Sequence, residues 1–158
     1  MRQVFFAFAF CVTACATPHA SADTPEINYG ELVTACVAAA GGDEAALNAC
    51  QGVGSQPCMN SDGGASTMGM VMCLSAEGEA WTSLMDAAQA RLAAANPDTA
   101  GALTRAQQQW REYRDAECSY SVVRWGEGSG AQVQYAGCMS NLAADRAIAL
   151  IVIEKLDD

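Results

Sequence analysis

Apolar residues recur at spacings of three and four along most of this chain. Leu32, Val33, Cys36, Val37 and Ala40 share one helical face, which Gly41 and Gly42 stop, and Asp43 is placed to cap a second short helix running through Leu47 to Cys50. A longer helix is predicted over 70–95, with Trp81, Leu84, Met85, Ala88 and Leu92 as its buried stripe. Pro97 closes that helix and can open the next, capped by Asn96 or Thr99, in which Leu103, Ala106, Trp110 and Tyr113 recur. Beyond the glycine-rich stretch 126–130, Tyr135, Cys138, Met139, Leu142, Ala149, Leu150 and Ile153 mark a final helix. Strand-like alternation is confined to Met68, Met70 and Met72. The pattern predicts an all-α fold, a small disulfide-stapled helical bundle with an N-terminal helical hairpin.

The first residues carry a different signal. Met1 and Arg2 precede an apolar run over 4–16, and the small residues Ala20, Ser21 and Ala22 offer a cleavage site, so residues 1–22 read as an export signal peptide. The run is shorter than the roughly 20 apolar residues of a permanent span, and no integral membrane span is expected. Val12, Thr13, Ala14 and Cys15 also resemble a lipobox, which would instead make Cys15 a lipid anchor. The expected product is a periplasmic or secreted protein, with a membrane-anchored lipoprotein as the alternative. Its expected division is a hairpin extension over 23–57 and a helical domain over 58–158.

Charge and chemistry narrow the function. The chain has 18 acidic against 8 basic residues, a formal net charge of −10, which repels nucleic acid. Nine acids and no base lie between 23 and 90. Such a face keeps an exported protein soluble, and it also suits a cationic partner. His19 is the one histidine and leaves with the signal peptide, so histidine-based nucleophile systems, zinc sites and general bases are unavailable to the mature chain. No phosphate loop, G-x-S-x-G or C-x-x-C occurs. The sequence therefore reads as a non-enzyme that needs no cofactor.

Six cysteines follow the signal peptide, an even number suited to an oxidising compartment. Sequential pairs each bracket a glycine turn: Cys36 and Cys50 flank Gly41 and Gly42, Cys58 and Cys73 flank Gly63 and Gly64, and Cys118 and Cys138 flank the 126–130 stretch. A chain reversing at those glycines brings the flanking thiols together, which predicts bridges Cys36–Cys50, Cys58–Cys73 and Cys118–Cys138.

Leu103, Ala106, Gln107, Trp110, Tyr113, Arg114, Asp115 and Cys118, followed by Tyr135, Cys138, Leu142, Arg146 and Leu150, resemble the LprI-type lysozyme inhibitor domain of secreted and lipid-anchored bacterial proteins. The Trp-x-x-Tyr-Arg-Asp-x-x-Cys core carries the resemblance, which is good over 103–150 and weaker over 58–102, where Cys58, Cys73 and Leu84 fit the framework. Met85 and Ala143 stand where the family usually has Asn and Thr, and 23–57 falls outside the resemblance. The resemblance implies a small disulfide-bonded envelope protein, some of whose relatives inhibit lysozyme. The alternative is a structural or interaction protein of the envelope without that activity.

Within the signature, Trp110, Tyr113, Arg114, Asp115 and Arg146 are expected to be mainly structural: two rings in the core, Arg114 paired with Glu117 or Asp145, and Arg146 linked to Asp115. Asn60, Asp62 and Gly63 imitate part of a calcium loop, but Gly69 stands where the closing acid belongs, so a plain turn is expected. Met59, Met68, Met70 and Met72 beside Cys73 raise Cu(I) binding as a minor alternative, opposed by the bridge that consumes Cys73. The expected partner is a basic lysozyme. The candidate contact is the loop 125–132, where Glu127, Ser129 and Gln132 would sit on a glycine-rich tip.

Overall fold

The computed structural model describes residues 28–157, all helix and turn with no strand among them. The expected signal peptide, its expected cleavage site and Cys15 lie outside the described residues. Three short helices, α1 (Tyr29–Ala40), α2 (Glu44–Asn48) and α3 (Ser55–Met59), precede three long ones, α4 (Thr67–Ala95), α5 (Pro97–Trp125) and α6 (Gly130–Asp157).

The ends of these helices follow from local chemistry. Gly41 ends α1 in the left-handed conformation, at φ 58°. Asp43 accepts a hydrogen bond from the Ala46 amide at 2.8 Å and caps α2. Ser66 caps α4 by accepting from the Gly69 amide at 3.0 Å, so α4 starts one turn before the predicted 70 and takes in Met68, Met70 and Met72. The strand-like alternation of Met68, Met70 and Met72 thus lies on a helix. The turn between α3 and α4 lies directly on both: a Cβ on Gly64 would stand 2.0 Å from the Cys58 carbonyl oxygen of α3, and one on Gly69 of α4 would stand 2.1 Å from that of Gly63. Pro97 opens α5, where its missing N–H costs nothing.

All three predicted bridges are present. Their Cα–Cα distances are 5.7 Å for Cys36–Cys50, 5.6 Å for Cys58–Cys73 and 5.5 Å for Cys118–Cys138.

The long helices form the bundle, and α4 and α6 pack most closely. Small residues allow this: Gly78 of α4 faces Ser140 of α6, where an added Cβ would come within 3.2 Å of the Ser140 Cα, and Ala143, Ala144 and Ala147 continue the seam. By length and composition α6 is apolar enough to cross a membrane; its buried positions pack into this core, while Tyr135, Ile153 and Leu156 stay exposed. Trp81, Met85, Ala88 and Leu92 of α4 are buried as predicted, with Leu84 partly so. Val33, Val37, Leu47 and Cys50 belong to the same cluster. Residues 28–57 are thus a layer of the one core, and α3 runs through the expected boundary at 57.

Two stripes are rotated from expectation. On α5 the inward face runs through Leu103, Gln107, Trp110 and Cys118, while Ala106 is exposed and Tyr113 is 54% exposed. From Leu103 the face runs through Gln107, Trp110 and Arg114 at spacings of four, three, four and four to Cys118, and Tyr113 falls off its edge. On α6 the buried positions are Ala136, Ser140, Ala143, Ala144, Ala147, Ile148 and Leu150, whereas Ala149 and Ile153 face solvent. Alanines, not the larger residues, mark this face, because α4 lies too close for bulk.

The attachment of the N-terminal layer centres on Glu77 of α4, 3% exposed. Its Oε1 accepts from the Gly52 amide at 2.6 Å and from the Trp81 indole at 3.4 Å. Its Oε2 accepts from the Gly54 and Ser55 amides at 3.2 and 2.6 Å. One carboxylate therefore satisfies three backbone donors of the turn entering α3, including those of the first turn that no helical carbonyl can reach.

Far from there, Arg91 holds Glu154 by two hydrogen bonds, tying α4 to the end of α6. Hydrogen bonding to Arg91 lowers the Glu154 pKa from its ordinary value. The pair therefore stabilises the fold fully above the ordinary carboxylate pKa, and this contribution is lost as the pH falls through the lowered folded value. Both side chains are partly exposed, 55% and 25%, so solvent screens the pair. Glu154→Gln is expected to cost at most about 1 kcal/mol at neutral pH and to melt together with the parent in strongly acidic solution. A difference that persists in acid would assign the effect to packing.

Candidate functional site

The bundle end formed by α5 and α6 brings the candidate contact loop onto a fixed base. Residues 126–129 join the two helices, and the Cys118–Cys138 bridge ties them below. Gly126 and Gly128 take φ values of 90° and 125°, which side chains disfavour, so the path of the loop depends on glycine. The Trp125 ring lies over Gly130, where a Cβ would come within 2.9 Å of the indole nitrogen, yet the residue remains 56% exposed. Glu127 and Ser129 are exposed on the tip, and Gln132 is exposed in the first turn of α6. Tyr120 and Val123, 59% and 78% exposed, add apolar surface near the end of α5.

Beside this loop lies an open groove of about 710 Å³ between the first half of α4, the end of α5 and the start of α6. Leu74, Val122, Tyr135 and Met139 supply apolar lining, and Ser75, Glu79 and Thr82 lie along its α4 wall. Gln132 belongs to both loop and groove, making the two continuous. Small residues keep it open: Gly78, Ala131, Ala136 and Ser140 line it where larger side chains would fill it. Sequence reasoning found the loop from its glycines and bracketing cysteines but missed the groove. Its trace in the sequence was the run of small residues at helical spacing on α6.

The signature residues lie further along α5 and α6, and their pairings differ from those expected. The Arg114 guanidinium carbon stands 5.4 Å from the centre of the half-buried Trp110 ring, a cation–π arrangement. Arg114 bonds to its neighbour Asp115 at 2.8 Å, not to Glu117 or Asp145. Asp145 instead accepts from the Gln51 amide group at 3.2 Å. Arg146 does not meet Asp115, which Arg114 occupies; its Nε donates to Oε1 of the fully buried Gln107. Burial lowers the Arg146 pKa from its ordinary value. Gln107 Nε2 is buried without a hydrogen-bond partner among the described residues. Arg146 and Gln107 thus link α6 to α5 and Trp110 packs against the core, while Arg114 and Asp115 pair within α5 and Tyr113 stands exposed.

The described residues contain no group of three or more His, Cys, Asp or Glu side chains placed to hold a metal ion. Met68 and Met72 project from α4 at 63% and 64% exposure, and the sulfur of Cys73 is bonded to that of Cys58.

A family model described as lysozyme inhibitor LprI matches residues 58–150, more than half of the chain. The chain belongs to the LprI lysozyme inhibitor family. No curated protein and no solved structure matches the chain closely enough to compare. The LprI match takes in α4, α5 and about three quarters of α6, with the Cys58–Cys73 and Cys118–Cys138 bridges, the groove and the loop. It leaves out α1, α2 and the first three residues of α3. LprI domains belong to the envelope or the extracellular space, which agrees with three bridges that need an oxidising compartment.

Proposed function

We propose that this protein is an exported inhibitor that binds a basic lysozyme directly, with the loop 125–132 as its leading contact. The observation that carries the reading is the LprI match, because it spans the loop and the helices that present it. Three features support it. Beginning at Asp23 the chain has 18 acidic and 7 basic residues, a formal charge of −11 that steers it toward a cationic enzyme, an attraction that salt screens. A narrow loop held by two helices and a bridge enters a glycan cleft better than a flat helix face does. Ser129 and Gln132 offer neutral hydrogen bonds there, while Glu127 is suited to a cationic rim. Removal of residues 1–22 would release the protein into the periplasm or beyond; lipidation at Cys15 would keep it on a membrane.

The test is a turbidity assay of a basic lysozyme with the oxidised protein beginning at Asp23. The parent should inhibit, and less strongly as salt rises. Replacing residues 127–130 by a short glycine linker should raise the concentration for half-inhibition on the order of tenfold or more, as loss of a central contact does. Glu127→Lys should weaken inhibition chiefly at low salt. Unchanged potency in both variants, with the melting curve intact, removes the loop as the contact. A parent that inhibits no lysozyme leaves the chain an interaction protein of the envelope.

A further inference from the structure

We infer that the groove between α4, α5 and α6 is a second contact for the same partner, receiving a lysine or arginine that a basic lysozyme projects beside the segment met by the loop. This rests on the inhibitor reading above and assigns to it a site that the loop does not contain.

The composition of the groove points to that occupant. A long basic side chain has an apolar stem and a charged head, and it binds best where apolar surface leads to a carboxylate. Leu74, Val122 and Met139 supply the surface. Glu79 is the one charged residue in the lining, exposed and in no ion pair among the described residues. Glu79 also borders a smaller groove against α1 that contains Glu31, so a cation arriving there meets two carboxylates and no base. Ser75 and Thr82, four residues before Glu79 and three after it, lie along the same wall. An anionic ligand would find no cationic side chain in either lining. A volume of about 710 Å³ is within the range of clefts that enclose a ligand group. Gln132 joins groove and loop, so one partner surface can engage both.

Inhibition of a basic lysozyme distinguishes this proposal from the reading beneath it. Ser75→Phe fills the groove from α4, on a different helix from either end of the loop, and Ala131→Phe fills it from α6. Each should raise the half-inhibitory concentration on the order of tenfold, as blocking a buried anchor does. Glu79→Gln should raise it about threefold, as an exposed ion pair does, and Glu79→Lys further. Glu112→Gln, which removes the same charge from an exposed position of α5 outside the groove, should leave potency unchanged. All variants are checked for parental melting curves. If the parent and the Ser75, Ala131 and Glu79 variants inhibit equally while the loop replacement fails, the groove proposal is overturned and the inhibitor reading stands. If the parent does not inhibit, both fall. If the filled variants lose binding of dodecyltrimethylammonium but keep full potency against lysozyme, the groove belongs to a small apolar ligand and the proposal is again overturned.

Discussion

Glu77→Ala should lower the melting temperature of the oxidised protein by about 10–20 °C, a loss of about 3–5 kcal/mol in a domain of this size. The variant removes the acceptor for the backbone amides of Gly52, Gly54 and Ser55 and for the Trp81 indole, deep under the N-terminal layer. Each buried donor left without a partner costs about 1–3 kcal/mol, and water entering the cavity recovers part of it. Glu77→Gln keeps one acceptor oxygen but turns an amide NH2 toward backbone N–H groups, so its loss should be intermediate. Hydrogen exchange locates the effect: the amides of 52, 54 and 55 should lose protection in both variants before those of α5 do. A melting temperature within about 3 °C of the parent for Glu77→Ala would show that the turn holds itself and that Glu77 is incidental.

Reduction of the three bridges should unfold the protein at physiological temperature. The sequence separations are 14, 15 and 20 residues, and on the chain-entropy model loops of that size stabilise by about 3 kcal/mol each. Together they are comparable to the roughly 5–15 kcal/mol net stability of a typical domain. Replacing Cys118 and Cys138 together by Ala isolates the bridge beneath the loop. That variant should lose about 3 kcal/mol, remain helical and become sensitive to proteolysis near 126–129. Under the inhibitor reading proposed above, its inhibition of lysozyme should weaken more than its stability explains, because the loop loses its fixed base. Equal melting of parent and double variant would mean that helix packing alone closes the α5–α6 hairpin.

What the sequence disclosed here, and what it hid, divides along physical lines. Glycine turns and the cysteines around them are local, so the bridges and the helix ends at Gly41, Asp43 and Pro97 were readable without knowing how the helices pack. Trp81, Met85, Ala88 and Leu92 were readable because large apolar residues at helical spacing have few other uses. Gln107 was not, since a glutamine in a polar run reads as solvent-facing; its burial depends on Arg146, 39 residues away. Glu77 was hidden in the same way, as one acid among nine in a stretch with no base. A further clue was Trp81 four residues later on the same face. Tyr113 misled because the signature places it three residues after Trp110, whereas the face continues through Arg114. The groove is defined by what is small, and small residues fit a close helix crossing as well as an opening. Of the candidate site, then, the loop was legible and the groove beside it was not.

The three bridges do not interlace. Each joins neighbours in the order of the cysteines along the chain, and each closes before the next pair begins. If the chain is exported N-terminus first and residues 1–22 are removed, as proposed above, Cys36 and Cys50 emerge while Cys58 and the later thiols are still inside. Each correct partner is therefore the first to arrive, and short loops close fastest. Oxidation in order of emergence yields the native pattern with no step that breaks a wrong bond. For an exported chain, this arrangement of the cysteines would let a thiol oxidase mature the protein without help from an isomerase.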